Sequence, residues 1–155
     1  MTFQIHALPM APFQPLFDLS DQELKTKGAC RVIADTNPGF PCRVSLQDAA
    51  PGETLILTNY RHLNGPTPYA ASHAIYVRHS ATQAQPKPDE VPTVLSSRLL
   101  SIRAFDASQM MQTADVVKGT TLAEALHRMF ENPAITFIDI HNARQGCYAA
   151  KATRA

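Results

Sequence analysis

The sequence lacks tryptophan, long apolar runs and an excess of charge of either sign. Its 155 residues contain 14 Lys and Arg against 13 Asp and Glu, which gives a formal net charge of +1. No segment approaches the roughly 20 apolar residues that a membrane helix needs. No basic excess is present to hold a polyphosphate backbone. We therefore expect no membrane partner and no nucleic-acid partner.

Cysteine is also scarce. Cys30, Cys42 and Cys147 are an odd number, without the short spacing of metal-binding pairs. Free thiols in a reducing compartment fit them better than a disulfide framework, which predicts a cytoplasmic protein. Residues 1–15 contain three prolines and no basic n-region, so we expect neither a signal peptide nor a membrane anchor.

The patterns that are present indicate a folded protein of mixed structure. Hydrophobic residues make up 45% of the chain, and 155 residues suit a single domain, residues 1–155. Alternation of apolar and polar residues predicts strands over 3–7, 42–46, 73–78, 99–105, 135–141 and 147–153. The run 54–60 is apolar on both faces around Ile56, which predicts a central strand. Residues 110–117 fit either a strand or an irregular segment.

Two capping-box patterns, Ser-x-x-Glu at Ser20 and Thr-x-x-Glu at Thr121, predict two short helices that end near Lys27 and Glu131. Strands outnumber helices and do not alternate with them regularly. The expected fold is therefore α+β, a mainly antiparallel sheet with two short helices packed on one side.

Several short phrases occur in an order and spacing that resembles domain-of-unknown-function family 1203. They are PCR at 41–43, SHAIYVR at 72–78, LSIRAF at 100–105, HNA at 141–143 and GCYA at 146–149. The resemblance covers nearly the whole chain and implies a bacterial protein of one domain. It implies no activity, cofactor or catalytic residue.

The C-terminal strands predict a hairpin that gathers three reactive side chains. Its five-residue connection is a common hairpin length. If His141 and Cys147 close it as an opposed pair, Asp139 shares their face. Thiol, imidazole and carboxylate can form an activated nucleophile, so Cys147, His141 and Asp139 are the catalytic candidates, with Cys147 a reactive thiolate. An inert buried cysteine is the alternative, and a one-residue register shift would separate the pair.

Two arginines predict an anionic ligand. Arg43 and Arg78 each share a strand face with polar or aromatic residues. Converging with His141 and Asn142, they would form a donor-rich pocket for a carboxylate or phosphate. His73, at the end of an apolar strand face, is a further candidate ligand-binding residue. Scattered surface arginines and a histidine at the core boundary are the alternatives.

No cofactor is expected. The chain has no G-x-G-x-x-G or P-loop pattern. Zinc could be held by Cys42, His73, His141 and Cys147 if separate strands converge, but no Cys-x-x-Cys or His-x-His pair supports it. We therefore expect no metal.

Two functions are compatible with these features. The first is a small-molecule domain that binds or processes an anionic metabolite in a His/Cys/Arg pocket. The second is a non-catalytic protein–protein interaction domain that presents the Pro-rich loops 61–72 and 80–93 to another protein or to a second copy. The sequence does not decide between them, or whether the protein is an enzyme.

Overall fold

The computed structural model describes residues 1–155 and contains eight strands and three α-helices. The strands are β1 (Phe3–His6), β2 (Cys30–Ile33), β3 (Thr54–Leu63), β4 (Ala71–Arg78), β5 (Leu99–Phe105), β6 (Met111–Lys118), β7 (Phe137–Asn142) and β8 (Tyr148–Arg154). The helices are α1 (Asp21–Thr26), α2 (Thr93–Ser96) and α3 (Leu122–Phe130), with 3₁₀ turns at Gln14–Asp18 and Gly119–Thr121. None of these helices has the length and hydropathy to cross a bilayer. The predicted α+β class is confirmed.

The strands form two antiparallel sheets. The larger has the order β1-β8-β7-β5-β6, and the smaller has the order β2-β3-β4. The segment 54–60, predicted as a central strand, lies in β3 at the middle of the smaller sheet. The ambiguous segment 110–117 forms β6, at the edge of the larger sheet.

Helices cover both sheets. Ile138 and Ile140 alternate along β7 and share one buried apolar cluster with Leu126 of α3. The helix α1 packs against the smaller sheet, where Leu24 meets Ile56 of β3. The two helices that the sequence predicts therefore lie on different sheets. The helix α3 buries an apolar stripe, whereas α1 buries Leu24 alone.

The second face of the larger sheet packs against the smaller sheet. Tyr148 at the start of β8 lies in one cluster with Ile75 and Val77 of β4. Side chains from both sheets therefore meet in the layer between them.

The two capping-box patterns have different outcomes. Before α1, the Ser20 hydroxyl accepts from the Glu23 amide at 3.2 Å, and the Glu23 carboxylate accepts from the Ser20 amide at 2.7 Å. Before α3, the Thr121 hydroxyl donates instead to the carbonyl of Lys118 at 3.0 Å. The predicted helix forms at both places, but only the first has a capping box.

The predicted strand over 42–46 is wrong. The amide of Leu46 donates to the carbonyl of Cys42 at 3.0 Å, so the chain turns here, and Leu46 has a positive φ of 51°. The apolar residues Cys42, Val44 and Leu46 recur at every second position because the turn buries all three, and Arg43 is buried with them. The strand β2 and the helix α2 were not predicted.

Candidate functional site

The predicted C-terminal hairpin forms, but with a different register at its closed end. A β-bulge follows Ile140, so that Tyr148 lies opposite His141. Cys147 lies beside Asn142, whose amide donates to the Cys147 carbonyl at 2.9 Å. The bulge therefore exchanges the faces that the pattern predicts for Cys147 and Tyr148.

The predicted hydrogen-bonded triad does not form as a consequence. His141 uses Nδ1 to contact the carbonyl of Gly146 at 3.0 Å. Asp139 shares the face of His141, as predicted, but its Oδ2 lies 3.0 Å from Nδ1 of His62. Cys147 has no hydrogen bond to either residue. The imidazole that would activate the thiol is therefore directed elsewhere.

The sulfur of Cys147 has two other partners. Nη2 of Arg43 donates to Sγ at 3.1 Å, and Nδ2 of Asn142 donates at 3.4 Å. The side chain is partly exposed. Donors directed at a sulfur, one of them charged, form the kind of electropositive surrounding in which reactive cysteines are found.

Arg43 is a buried cation without an acidic partner. It is 2% exposed. Its Nε donates to the carbonyl of Tyr148 at 2.6 Å, and its Nη1 donates to that of Pro41 at 2.5 Å. Burial lowers the pKa of Arg43 from the ordinary arginine value, because the charged form loses hydration.

Arg43 and Cys147 line one concave pocket, which we call the Arg43 pocket. Its volume is about 370 Å³, within the range of small-molecule sites. Three of the four predicted ligand-binding residues, Arg43, His73 and Asn142, line it. The remaining lining residues are Gly39, Pro41, Leu57, Ala74, Tyr76, Arg98, Gln145 and Cys147.

The fourth predicted residue, Arg78, is not part of the Arg43 pocket. Its Nη2 lies 2.6 Å from the Glu53 carboxylate, and its Nη1 donates to Ser45 and Gln47. Arg98 lies in the pocket instead and forms a two-point contact with Asp48 at 2.6 and 2.9 Å. Sequence reasoning missed Arg98, which stands just before β5 without a distinctive pattern.

Three histidines form a second feature between the sheets, which we call the imidazole cluster. It consists of His62 in β3, His73 in β4 and His141 in β7. The ring centroids lie 4.9 Å apart for His62 and His73, 4.9 Å for His62 and His141, and 5.1 Å for His73 and His141. His73 also lines the Arg43 pocket, so the two features share a wall.

Burial lowers the pKa of two members of the imidazole cluster, His73 and His141. It lowers the pKa of His141 to about 3, with Arg103 and His62 acting in the same direction and Gly146 and Asp139 opposing them. Burial, with smaller contributions from His62 and Arg103, also lowers the pKa of His73. Neutral imidazole is therefore the stable form of both side chains at physiological pH.

His62 was missed because its segment was assigned to a loop. Residues 61–72 were predicted to be irregular, yet β3 continues to Leu63 through a bulge between Arg61 and Leu63. Alternation of Tyr60 and His62 along the strand was the available indication. The proline at 66 and the glycine at 65 concealed it, because both residues favour turns.

The chain is thus an α+β protein with two antiparallel sheets. Between the sheets lie an arginine-lined pocket and, beside it, a cluster of three histidines. The chain belongs to the family described as Protein of unknown function (DUF1203), whose model matches residues 39–154. The family that the sequence phrases resemble is thus confirmed, and the matched range contains both the Arg43 pocket and the imidazole cluster. No curated protein and no solved structure matches the chain.

Proposed function

We propose that this protein binds a small anionic metabolite in the Arg43 pocket. The observation that carries the proposal is the buried guanidinium of Arg43, which has no carboxylate partner. Taking a charged group out of water costs several kcal/mol unless an opposite charge compensates it. An anion entering the pocket would supply that charge.

The remaining lining residues suit the same class of ligand. The lining contains no Asp or Glu, and its second arginine, Arg98, is already paired with Asp48. Oδ1 of Asn142 is buried without a hydrogen-bond partner, which leaves an acceptor for a ligand hydroxyl or amine. A carboxylate or phosphate that also carries a donor group matches these features.

Cys147 is the nucleophilic side chain of the pocket, and its sulfur accepts from Nη2 of Arg43. An anion that binds Arg43 would compete with the sulfur for Nη2. Bound ligand is therefore expected to change the reactivity of Cys147, which provides a reporter located at the site.

A thermal-shift screen of the EDTA-treated, tag-free chain tests the proposal. Inorganic phosphate, small mono- and dicarboxylates and phosphorylated sugars are the probes. A ligand present at 100 times its Kd stabilises the folded state by about 2.7 kcal/mol, which is easily detected as a rise in Tm. We expect at least one anion to raise Tm and to slow alkylation of Cys147.

Arg43→Gln should abolish this rise, whereas Arg78→Gln, which removes an arginine outside the pocket, should leave it unchanged. Ala74→Glu is a second test variant, because it adds a negative charge at an exposed lining residue without disturbing buried groups. It should also reduce the rise in Tm, since the added carboxylate repels an anion. The proposal is contradicted if no anion stabilises the wild-type chain, or if the anion raises the Tm of both Arg43→Gln and Ala74→Glu as much as that of the wild type.

The interaction alternative has less support. The loop 80–93 is fixed to β1, where the amide of Asp89 donates to the Phe3 carbonyl at 2.9 Å and the Asp89 carboxylate accepts from the Phe3 amide at 3.0 Å. Tyr69 is the one large apolar side chain that the Pro-rich loops expose. Docking surfaces normally need a contiguous apolar patch of several hundred Å².

A further inference from the structure

We propose that the imidazole cluster binds one divalent transition-metal ion, of which Zn²⁺ is the principal candidate. The ligands are His62, His73 and His141. This site shares His73 with the wall of the Arg43 pocket, but neither Arg43 nor Cys147 is among its ligands.

Three ring nitrogens converge on one point between the sheets. One nitrogen from each histidine lies within 4.8 Å of the other two. Nε2 of His62, Nδ1 of His73 and Nε2 of His141 are all buried without a hydrogen-bond partner. Buried polar atoms are almost always satisfied, so three unsatisfied nitrogens in one cluster indicate a missing shared partner. An ion with bonds of about 2.0–2.1 Å would draw the nitrogens closer together.

In two of these histidines, His62 and His141, the second ring nitrogen contacts an oxygen atom that orients the imidazole. Nδ1 of His62 lies 3.0 Å from Oδ2 of Asp139. Nδ1 of His141 lies 3.0 Å from the Gly146 carbonyl, so this nitrogen carries the proton and Nε2 keeps its lone pair. Metal-binding histidines typically donate their second ring nitrogen to a carboxylate or a backbone carbonyl in this way.

The backbone places these rings at irregular positions in the strands. His62 is the extra residue of the bulge in β3, and His141 lies at the bulge between β7 and β8. Bulges redirect side chains and are common beside functional sites. The Tyr148 ring stacks on His62 with centroids 5.0 Å apart, which restricts rotation of that imidazole.

The donor set selects the type of metal. Imidazole nitrogen suits Zn²⁺, Cu²⁺ and Ni²⁺, whereas Mg²⁺ and Ca²⁺ require oxygen ligands. The carboxylate of Asp139 lies 3.0 Å from Nδ1 of His62 through Oδ2 and 3.0 Å from Nζ of Lys151 through Oδ1. Three protein ligands leave the fourth position of a tetrahedral ion free for water or a substrate, as in catalytic rather than structural zinc sites.

Metal titration of the EDTA-dialysed, tag-free full chain tests the site. Isothermal titration calorimetry with Zn²⁺ should give one ion per chain with a Kd below about 1 μM, while Mg²⁺ and Ca²⁺ give no binding. Co²⁺ should produce the visible absorption of a four- or five-coordinate ion, and Zn²⁺ should displace it. These measurements are made without added anion, so their outcome is independent of the thermal-shift screen.

Single-ligand variants locate the ion. His73→Gln is the least disruptive, because His73 is only partly buried, and it should weaken Zn²⁺ binding at least tenfold, as should His141→Gln. Asp139→Asn should weaken it by about 10- to 100-fold through the orientation of His62. His127→Gln, which alters a half-exposed histidine of α3, should bind Zn²⁺ as the wild type does.

Two results would overturn the proposal. One is a wild-type chain that binds no Zn²⁺ at unit stoichiometry and leaves the Co²⁺ spectrum that of the hydrated ion. The other is a folded His73→Gln chain that binds Zn²⁺ as tightly as the wild type. If a variant does not fold, the wild-type stoichiometry and spectrum decide the question.

Discussion

Nη2 of Arg43 lies 3.1 Å from Sγ of Cys147, although 104 positions separate the two residues in the chain. Both were candidate site residues on the sequence alone, but in separate roles, the arginine for an anion and the cysteine with a histidine. The contact joins these roles. The side chain that contacts the thiol of Cys147 is therefore the buried guanidinium of Arg43, whereas the sequence predicted the imidazole of His141.

Cys147 should therefore react with iodoacetamide faster than the exposed Cys30, while the fully buried Cys42 stays unmodified. Arg43→Gln should slow the reaction of Cys147 about tenfold, since a hydrogen bond from a charged group contributes about 1.5 kcal/mol. Peptide mass spectrometry over a time course measures all three rates in one sample. Arg78→Gln is the matched control. Equal rates for Cys147 and Cys30, or no effect of Arg43→Gln, would show that the contact does not activate the thiol.

Sequence patterns predicted where most strands and helices lie, but they predicted less well which of these elements contact one another. Alternation of apolar and polar residues identified β4, β5, β7 and β8, and the run 54–60, apolar on both faces, identified β3. In β7 the alternation did not mark an exposed face, because the polar residues Asp139 and His141 are buried as well. The same pattern failed at 42–46, where a turn buries Cys42, Val44 and Leu46 without extending the chain. Periodicity indicates which side chains are buried, but it does not distinguish an extended strand from a turn that buries the same side chains.

The candidate site was predicted only in part for a related reason. Arg43, His73, Asn142 and Cys147 were named and do share a pocket. His62 and the registers at the two bulges were not foreseen. The imidazole cluster forms because β3 and β4 of one sheet face β7 of the other. Contacts between two sheets produce no periodic pattern in the sequence, so they could not be predicted from it. A one-residue bulge is enough to exchange the faces of Cys147 and Tyr148.

The two capping-box patterns provide a matched test of local structure. Ser20→Ala should destabilise the protein by about 1 kcal/mol, because Ser20 caps α1 through its hydroxyl. Thr121→Ala should cost less than about 0.5 kcal/mol, as for an ordinary surface substitution, since its hydroxyl makes no cap bond to α3. Urea unfolding of both variants measures the difference. Equal losses would contradict the assignment.

Gly119 should be the least replaceable of the glycines. A Cβ atom there would lie 2.0 Å from the Leu95 carbonyl oxygen, and the backbone of Ser96 leaves no room for adjustment. Gly119→Ala should therefore destabilise the protein by more than about 3 kcal/mol, above the usual cost of overpacking. Gly28→Ala is the control, with a φ of +69° and open space around the added methyl group, and should cost about 1–2 kcal/mol. Thermal unfolding that ranks the two in reverse order would refute this.

Stability of the metal-free protein should fall as the pH decreases from 7 to 5, in part because of His141. Burial lowers its pKa to about 3 from the ordinary value of 6.5, so in this range the unfolded chain takes up the proton and the folded chain does not. The stabilisation is present above pH 6.5 and is lost towards pH 3, with about 2 kcal/mol lost by pH 5. Urea unfolding in EDTA at several pH values should show a shallower pH dependence for His141→Gln than for the wild type. His127→Gln, in which the exposed histidine of α3 is removed, should keep the wild-type slope. An unchanged slope in His141→Gln would mean that His141 is not held neutral by the fold.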